Sequence, residues 1–171
     1  VGARCLAAGL GVVVLMAGCA AGPTPSPSSP TTPAPTSSPA APPASAGPGV
    51  PGEYAAELVA GTDAARADEG LPALAPSACA QAAALERAAA LVGAAELTHA
   101  SLAGVIAACA PATTAAENLS RATAAPAEVL AAWLDSPGHR ANLLDPDLTE
   151  LGIGCVPDGA EMLCSQVYLG P

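Results

Sequence analysis

The chain has 171 residues, enough for one domain with appendages. Fifteen Asp and Glu against five Arg, with no Lys, give a formal charge of −10, which disfavours nucleic acid and anionic lipid headgroups as partners and attracts divalent cations. Half of the residues are apolar, but Ala dominates and Phe is absent, so the core must rest on Leu, Val, a few Ile and Met, and the single Trp.

Residues 1–18 read as a lipoprotein signal peptide. Arg4 forms a thin positive start, and Leu6 to Ala17 is an apolar stretch too short to span a bilayer comfortably. It ends in Leu15-Met16-Ala17-Gly18-Cys19, which resembles the bacterial lipobox, where cleavage falls before a Cys whose sulfur carries a diacylglycerol. The expected location is the extracellular face of the cell membrane, held by a lipid on Cys19, or the medium if the leader is an ordinary secretory one. Residues 19–52 form a linker of Pro, Ser, Thr, Ala and Gly, with eleven prolines from Pro23 to Pro51. Such a stretch has nothing with which to build a core. In extended polyproline form it reaches roughly 90 Å.

The folded domain is expected over residues 53–171. Tyr54 to Glu69 reads as a helix closed by Gly70, followed by a short extended link, Leu71 to Leu74. Ser77 to Val92 reads as a second helix whose apolar seam is Ala78, Ala82, Leu85, Ala89 and Val92. Ser101 can cap a short third helix, Leu102 to Cys109, and Glu117-Asn118-Leu119 reads as extended. Pro126 suits the first position of a fourth helix that runs to about Asp135, with Glu128 near its positive end. There the apolar run is cut by Ser136-Pro137-Gly138, read as a turn that presents His139 and Arg140. Leu151 to Cys155 and Met162 to Leu169 then form strands around a Pro157-Asp158-Gly159 turn. Helices followed by a terminal hairpin indicate an α/β or α+β domain.

Four cysteines remain beyond Cys5 and Cys19, an even number in an exported domain, and they allow three pairings. Cys155 and Cys164 flank the hairpin turn at positions that can lie opposite each other, which leaves Cys79 for Cys109. The chain-entropy model assigns roughly 2.5–3 kcal/mol to the hairpin bridge and roughly 3.5 kcal/mol to the longer loop.

His99, Glu117, Asn118, His139, Arg140 and Asn142 are the polar residues that stand out. Two imidazoles and a carboxylate from separate segments can converge on a Zn²⁺ or Mg²⁺ ion, or act as an acid–base pair oriented by Glu117. The plainer reading makes both His half-buried core residues and pairs Arg140 with a nearby carboxylate.

The order of His99 in Leu-Thr-His-Ala-Ser, then Glu117-Asn118-Leu119, then Trp133-x-x-Ser136-Pro-Gly-His139-Arg140-x-Asn142 resembles the CAP superfamily. Leu151-Gly-Ile-Gly and Ser165-Gln166-Val167-Tyr168 follow in the same register, and the likeness spans roughly residues 54–170. This is the SCP-like family of cysteine-rich secretory, antigen 5 and pathogenesis-related proteins, in its compact bacterial branch. The resemblance implies an α-β-α sandwich with a small antiparallel sheet between helices. It also implies a shallow cavity of two His and two acids, which in some members holds a divalent cation. His99, Glu117 and His139 match three of those positions. The fourth is Ser136, so a carboxylate is missing, and Ala116 stands where Gly is usual. Asn118, Arg140 and Asn142 are expected to support the site.

Three functions compete on this reading. The first is a surface-tethered, monomeric module that binds a small ligand, a lipid or a cell-wall partner around the His99–Glu117–His139 cavity. The second is a divalent-metal-dependent hydrolase using the same residues. The third is a wall-associated structural domain with a vestigial cavity. The missing carboxylate favours binding over catalysis, and the negative charge disfavours a nuclease.

Overall fold

The computed structural model describes residues 49–171, so the expected signal peptide, Cys19 and nearly all of the linker lie outside the described residues. Helix α1 (Pro51–Asp68) opens with proline, whose fixed φ suits a first turn. It ends at Gly70, whose φ of +75° lets the Leu71 and Gly70 N–H groups turn back onto the Arg66 and Ala67 carbonyls. Strand β1 (Ala75–Pro76) is brief, and Ser77 caps α2 (Ala78–Ala90) by accepting from the Ala80 N–H. Helix α3 (Ala103–Ala108) and strand β2 (Thr114–Ala122) follow. In α4 (Pro126–Asp135), Glu128 reaches back to accept from the Ala125 N–H at 3.0 Å. Strands β3 (Glu150–Asp158) and β4 (Glu161–Gly170) close the chain as a hairpin.

Ser136-Pro137-Gly138 is not a turn into a loop. Ser136 occupies the N-cap position of a further helix, α5 (Pro137–Leu143), without a side-chain cap bond, and Pro137 takes its first position, so His139, Arg140 and Asn142 are all helical. A proline that stops one helix is equally suited to start the next.

The sheet order is β1-β3-β4-β2; β3–β4 and β4–β2 are antiparallel, while β1 joins β3 in parallel. Side chains alternate between two faces. On one face α1, α4 and α5 enclose Tyr54, Leu58, Trp133, Leu143, Leu148, Ile153, Met162 and Tyr168. On the other, α2 and α3 cover a smaller cluster of Ala80, Ala84, Val105, Cys109, Val167 and Leu169. The domain is therefore an α-β-α sandwich.

The expected seam of α2 is its outer face: Ala78, Ala82, Leu85, Ala89 and Val92 are exposed, and Ala80, Ala84 and Ala88 are buried. The cause lies in β3. A Cβ on Gly152 would sit 2.0 Å from the Gln81 backbone nitrogen, and one on Gly154 would sit 2.3 Å from that of Leu85. Two glycines thus admit the α2 backbone directly onto the strand. In a helix where Ala occupies every side, the facing strand chooses which side is buried.

Both disulfides form as expected. Cys155 and Cys164 are register partners on the hairpin, and Cys79–Cys109 joins the first turn of α2 to the end of α3. The side chain of Gln81 donates to the Ile153 carbonyl at 2.7 Å and accepts from its N–H at 3.1 Å, beyond the point where β1 ends. Arg66, 1% exposed, donates to the carbonyls of Pro72, Leu143, Asp145 and Leu148. That buried guanidinium fastens the end of α5, and hence the helix carrying His139, to α1. Among the described residues no helix is long and apolar enough to cross a membrane.

Candidate functional site

The consecutive residues Glu117 and Asn118 of β2 point to opposite faces of the sheet. Asn118 faces α1 and α5 and belongs to a neutral chain of hydrogen bonds. Its Nδ2 donates to Gln166 Oε1 and to the His139 carbonyl, and its Oδ1 accepts from Asn142. Gln166 in turn donates to Thr62 Oγ1, which donates to the Leu58 carbonyl. Asn142 also donates to the Glu117 carbonyl, and Trp133 Nε1 donates to the Leu119 carbonyl at 3.0 Å. The outer edge of β2 is thereby closed by side chains of α4 and α5. Buried amides fully partnered in this way fix one arrangement of the elements they join.

Glu117 faces α2, and its side chain is only 2% exposed. Arg87 of α2 engages it bidentately, Nε to Oε1 and Nη2 to Oε2, the latter at 2.8 Å. Ser165 of β4 donates to Oε1 at 2.8 Å, and His99 Nδ1 lies 2.8 Å from Oε2. Burial alone would raise the Glu117 pKa, but the hydrogen bonds from Arg87, His99 and Ser165 and the charge of Arg87 outweigh it and hold the pKa below the usual carboxylate range. Arg87 also donates to the carbonyl of Ala100 at 2.9 Å and to that of Ser101, so the same group fixes the segment that follows His99.

The third expected member, His139, is near this cluster without bonding to it. Its carbonyl, held by Asn118, ties it to β2. Burial, and to a lesser degree the charge of neighbouring His99, pushes the imidazole pKa below its ordinary value. Ser136 is the joint between α4 and α5, and its hydroxyl caps neither helix. Arg140 makes an exposed ion pair with Glu69 at 2.6 Å, a brace between α5 and α1. The structure thus joins His99 directly to Glu117, sets His139 beside them, and places Arg140 elsewhere.

Two members of the cluster were not anticipated from sequence, Arg87 and Ser165. The available signal was Arg87 itself, a lone cation in a helix otherwise made mainly of Ala. The donor set does not fit a divalent cation. Among the described residues no three His, Cys, Asp or Glu side chains are arranged to hold a metal ion. The four lone-pair directions of the Glu117 carboxylate are met by four protein groups.

Glu117 and Arg87 also line a cavity of about 730 Å³ between α2, α3 and the His99 segment. Its other walls include Ala82, Ala83, Leu91, Val105 and Ala108, with Thr98, Ser101 and Glu86 as polar contributions. Neither His99 nor His139 lines it.

A sequence model described as the cysteine-rich secretory protein family, CAP, matches residues 59–168. The chain belongs to this family. The uncharacterized protein YkwD of Bacillus subtilis is 40% identical over 57 residues, 33% of this chain and 21% of that relative. The chain thus spans about a fifth of that relative's length. Among solved structures, an extracellular SCP-domain protein of Bacillus anthracis matches with TM-score 0.61 at 23% identity, covering 74% of this chain and 45% of that one. A cysteine-rich secretory protein of Staphylococcus aureus gives 0.64 at 21%, covering 72% and 40%. An outer surface protein of Borrelia burgdorferi gives 0.62 at 20%, covering 69% and 92%. At these identities the structures establish the CAP fold.

Proposed function

We propose that this CAP domain is an extracellular binding module that takes an uncharged, mainly aliphatic ligand in the α2–α3 cavity. The observation that carries the reading is the cavity itself, at a volume typical of small-molecule sites. No aromatic side chain lines it, so it offers no platform on which a sugar or base would stack. Its buried carboxylate is already neutralised by Arg87, and all four arginines of the domain are engaged by protein groups. No guanidinium is left over to recruit an anion. Gly104 of α3 supports the same reading. Its backbone does not require glycine, and a Cβ there would meet nothing within 4 Å, so the missing side chain serves mainly to keep the cavity open. With both of its oxygens taken up by Arg87, His99 and Ser165, Glu117 is not placed to serve as the base that activates water for a hydrolase.

The uncharged fluorophore N-phenyl-1-naphthylamine tests this directly. Wild type is expected to bind it with a Kd of about 10 µM, and Gly104→Leu to weaken binding at least about tenfold. The same substitution should leave the melting temperature unchanged or higher, because leucine favours a helix over glycine. Equal binding by both proteins would remove the cavity from consideration. Attachment to the cell surface through a lipid on Cys19 belongs to the same proposal. Cys19→Ala should release the protein into the medium, and continued membrane retention would refute the anchor.

A further inference from the structure

We infer that Arg87 is the resident cation of the His99–Glu117 site: its guanidinium holds the place and supplies the charge that a divalent ion would need there, and it anchors the His99 segment as well. The disagreement between the donor set and a metal centre then has a specific cause. It goes beyond the absent fourth carboxylate at Ser136.

Three observations support this. A carboxylate only 2% exposed needs a counter-charge close by, and Arg87, itself 13% exposed, delivers one through a planar two-point contact. A metal ion bound to Glu117 would have to take the same oxygens that Arg87, Ser165 and His99 now occupy. The remaining guanidinium hydrogens reach the carbonyls of Ala100 and Ser101, directly after His99 in the chain. A single side chain therefore neutralises Glu117, and it positions the imidazole that completes the cluster. Arg87 is a positioning residue, and the site assembles with no metal.

It follows that removing the guanidinium should create a cation site where none existed. Arg87→Met keeps an unbranched stem, removes the guanidinium and its charge, and leaves a buried carboxylate beside His99. The disulfide-intact full chain should show no Zn²⁺ binding by calorimetry at pH 7 up to about 1 mM, while Arg87→Met binds one Zn²⁺ with a Kd of about 100 µM or lower, a change of at least tenfold. Adding Zn²⁺ should also raise the melting temperature of that variant. The double variant Arg87→Met/Glu117→Gln should bind no Zn²⁺ and melt above Arg87→Met without metal, since no uncompensated charge remains. Arg87→Lys guards against the case in which Arg87→Met does not fold. It keeps the charge but loses the fork, so it should remain indifferent to Zn²⁺ while amide exchange over residues 98–101 quickens. Zn²⁺ binding by wild type as tight as by Arg87→Met, no binding by folded Arg87→Met, or a gain of binding by Arg87→Lys would each overturn the inference.

Discussion

The two faces of the sheet are stabilised in opposite ways. Under α1, α4 and α5 the core is made of large side chains, with Trp133 and Tyr168 2% and 0% exposed. Under α2 it is made of the near-absence of side chains, with alanines resting on Gly152 and Gly154. The first face gains from buried volume and the second from close backbone approach. Polar chemistry divides along the same line, with neutral amides around Asn118 on the bulky face and an ion-paired carboxylate on the lean one. A face built from small residues leaves unfilled space beside it, and the cavity is found on that side.

If this contrast is right, the bulky face should suffer from losing atoms and the lean face from gaining them. Trp133→Ala removes the largest anchor and its bond to the Leu119 carbonyl, and should cost about 4 kcal/mol in a urea unfolding experiment. Gly152→Ala adds one methyl group against backbone and should cost about 3 kcal/mol, an unusual penalty for so small a change. A near-neutral Gly152→Ala would break the comparison. Replacing Cys155 and Cys164 together by Ala should cost about 2.5 kcal/mol.

Acid should act in two stages, first on His139 of α5 and then on Glu117 at the lean face. The folded pKa of His139 lies below its ordinary 6.5, so the unfolded chain takes up that proton first and stability begins to decline as pH falls below about 6.5. The folded pKa of Glu117 lies below its ordinary 4.5, so its contribution is intact above that value and is lost as pH falls through the depressed one. Urea midpoints measured from neutrality down to about pH 3 should therefore fall in both stages. A flat profile would contradict both assignments. The smallest effect belongs to Arg140→Ala, where loss of the exposed pair with Glu69 should change stability by about 0.5 kcal/mol or less.

Wherever local chemistry decides, the chain was legible. Gly70 ends α1, Pro126 begins α4, and Cys155 meets Cys164, all as their residue types require. Legibility failed where a distant element decides. The buried side of α2 is set by β3, and nothing within an alanine helix announces it. Ser136-Pro137 has the same residues whether a helix stops or another starts, and only the packing of Leu143 and Asn142 onto the core separates the two. At the site, the His99–Glu117 pairing was readable from the family likeness. The bonds of Arg87 and Ser165 to Glu117 were not, because both reach it from other elements, and neither a lone cation in α2 nor a serine in the β4 block says which side chain it meets.

The paired amide of Gln81 has a consequence for the protein in company with its own copies. Beyond Pro76, β3 would present an open N–H and carbonyl to any passing strand, an invitation to edge-to-edge growth. Gln81 answers both groups of Ile153 and stands in for one residue of a neighbouring strand. Gln81→Ala should therefore show its effect less in the melting temperature than in light scattering, as a solution that turns cloudy at concentrations where the wild type stays clear.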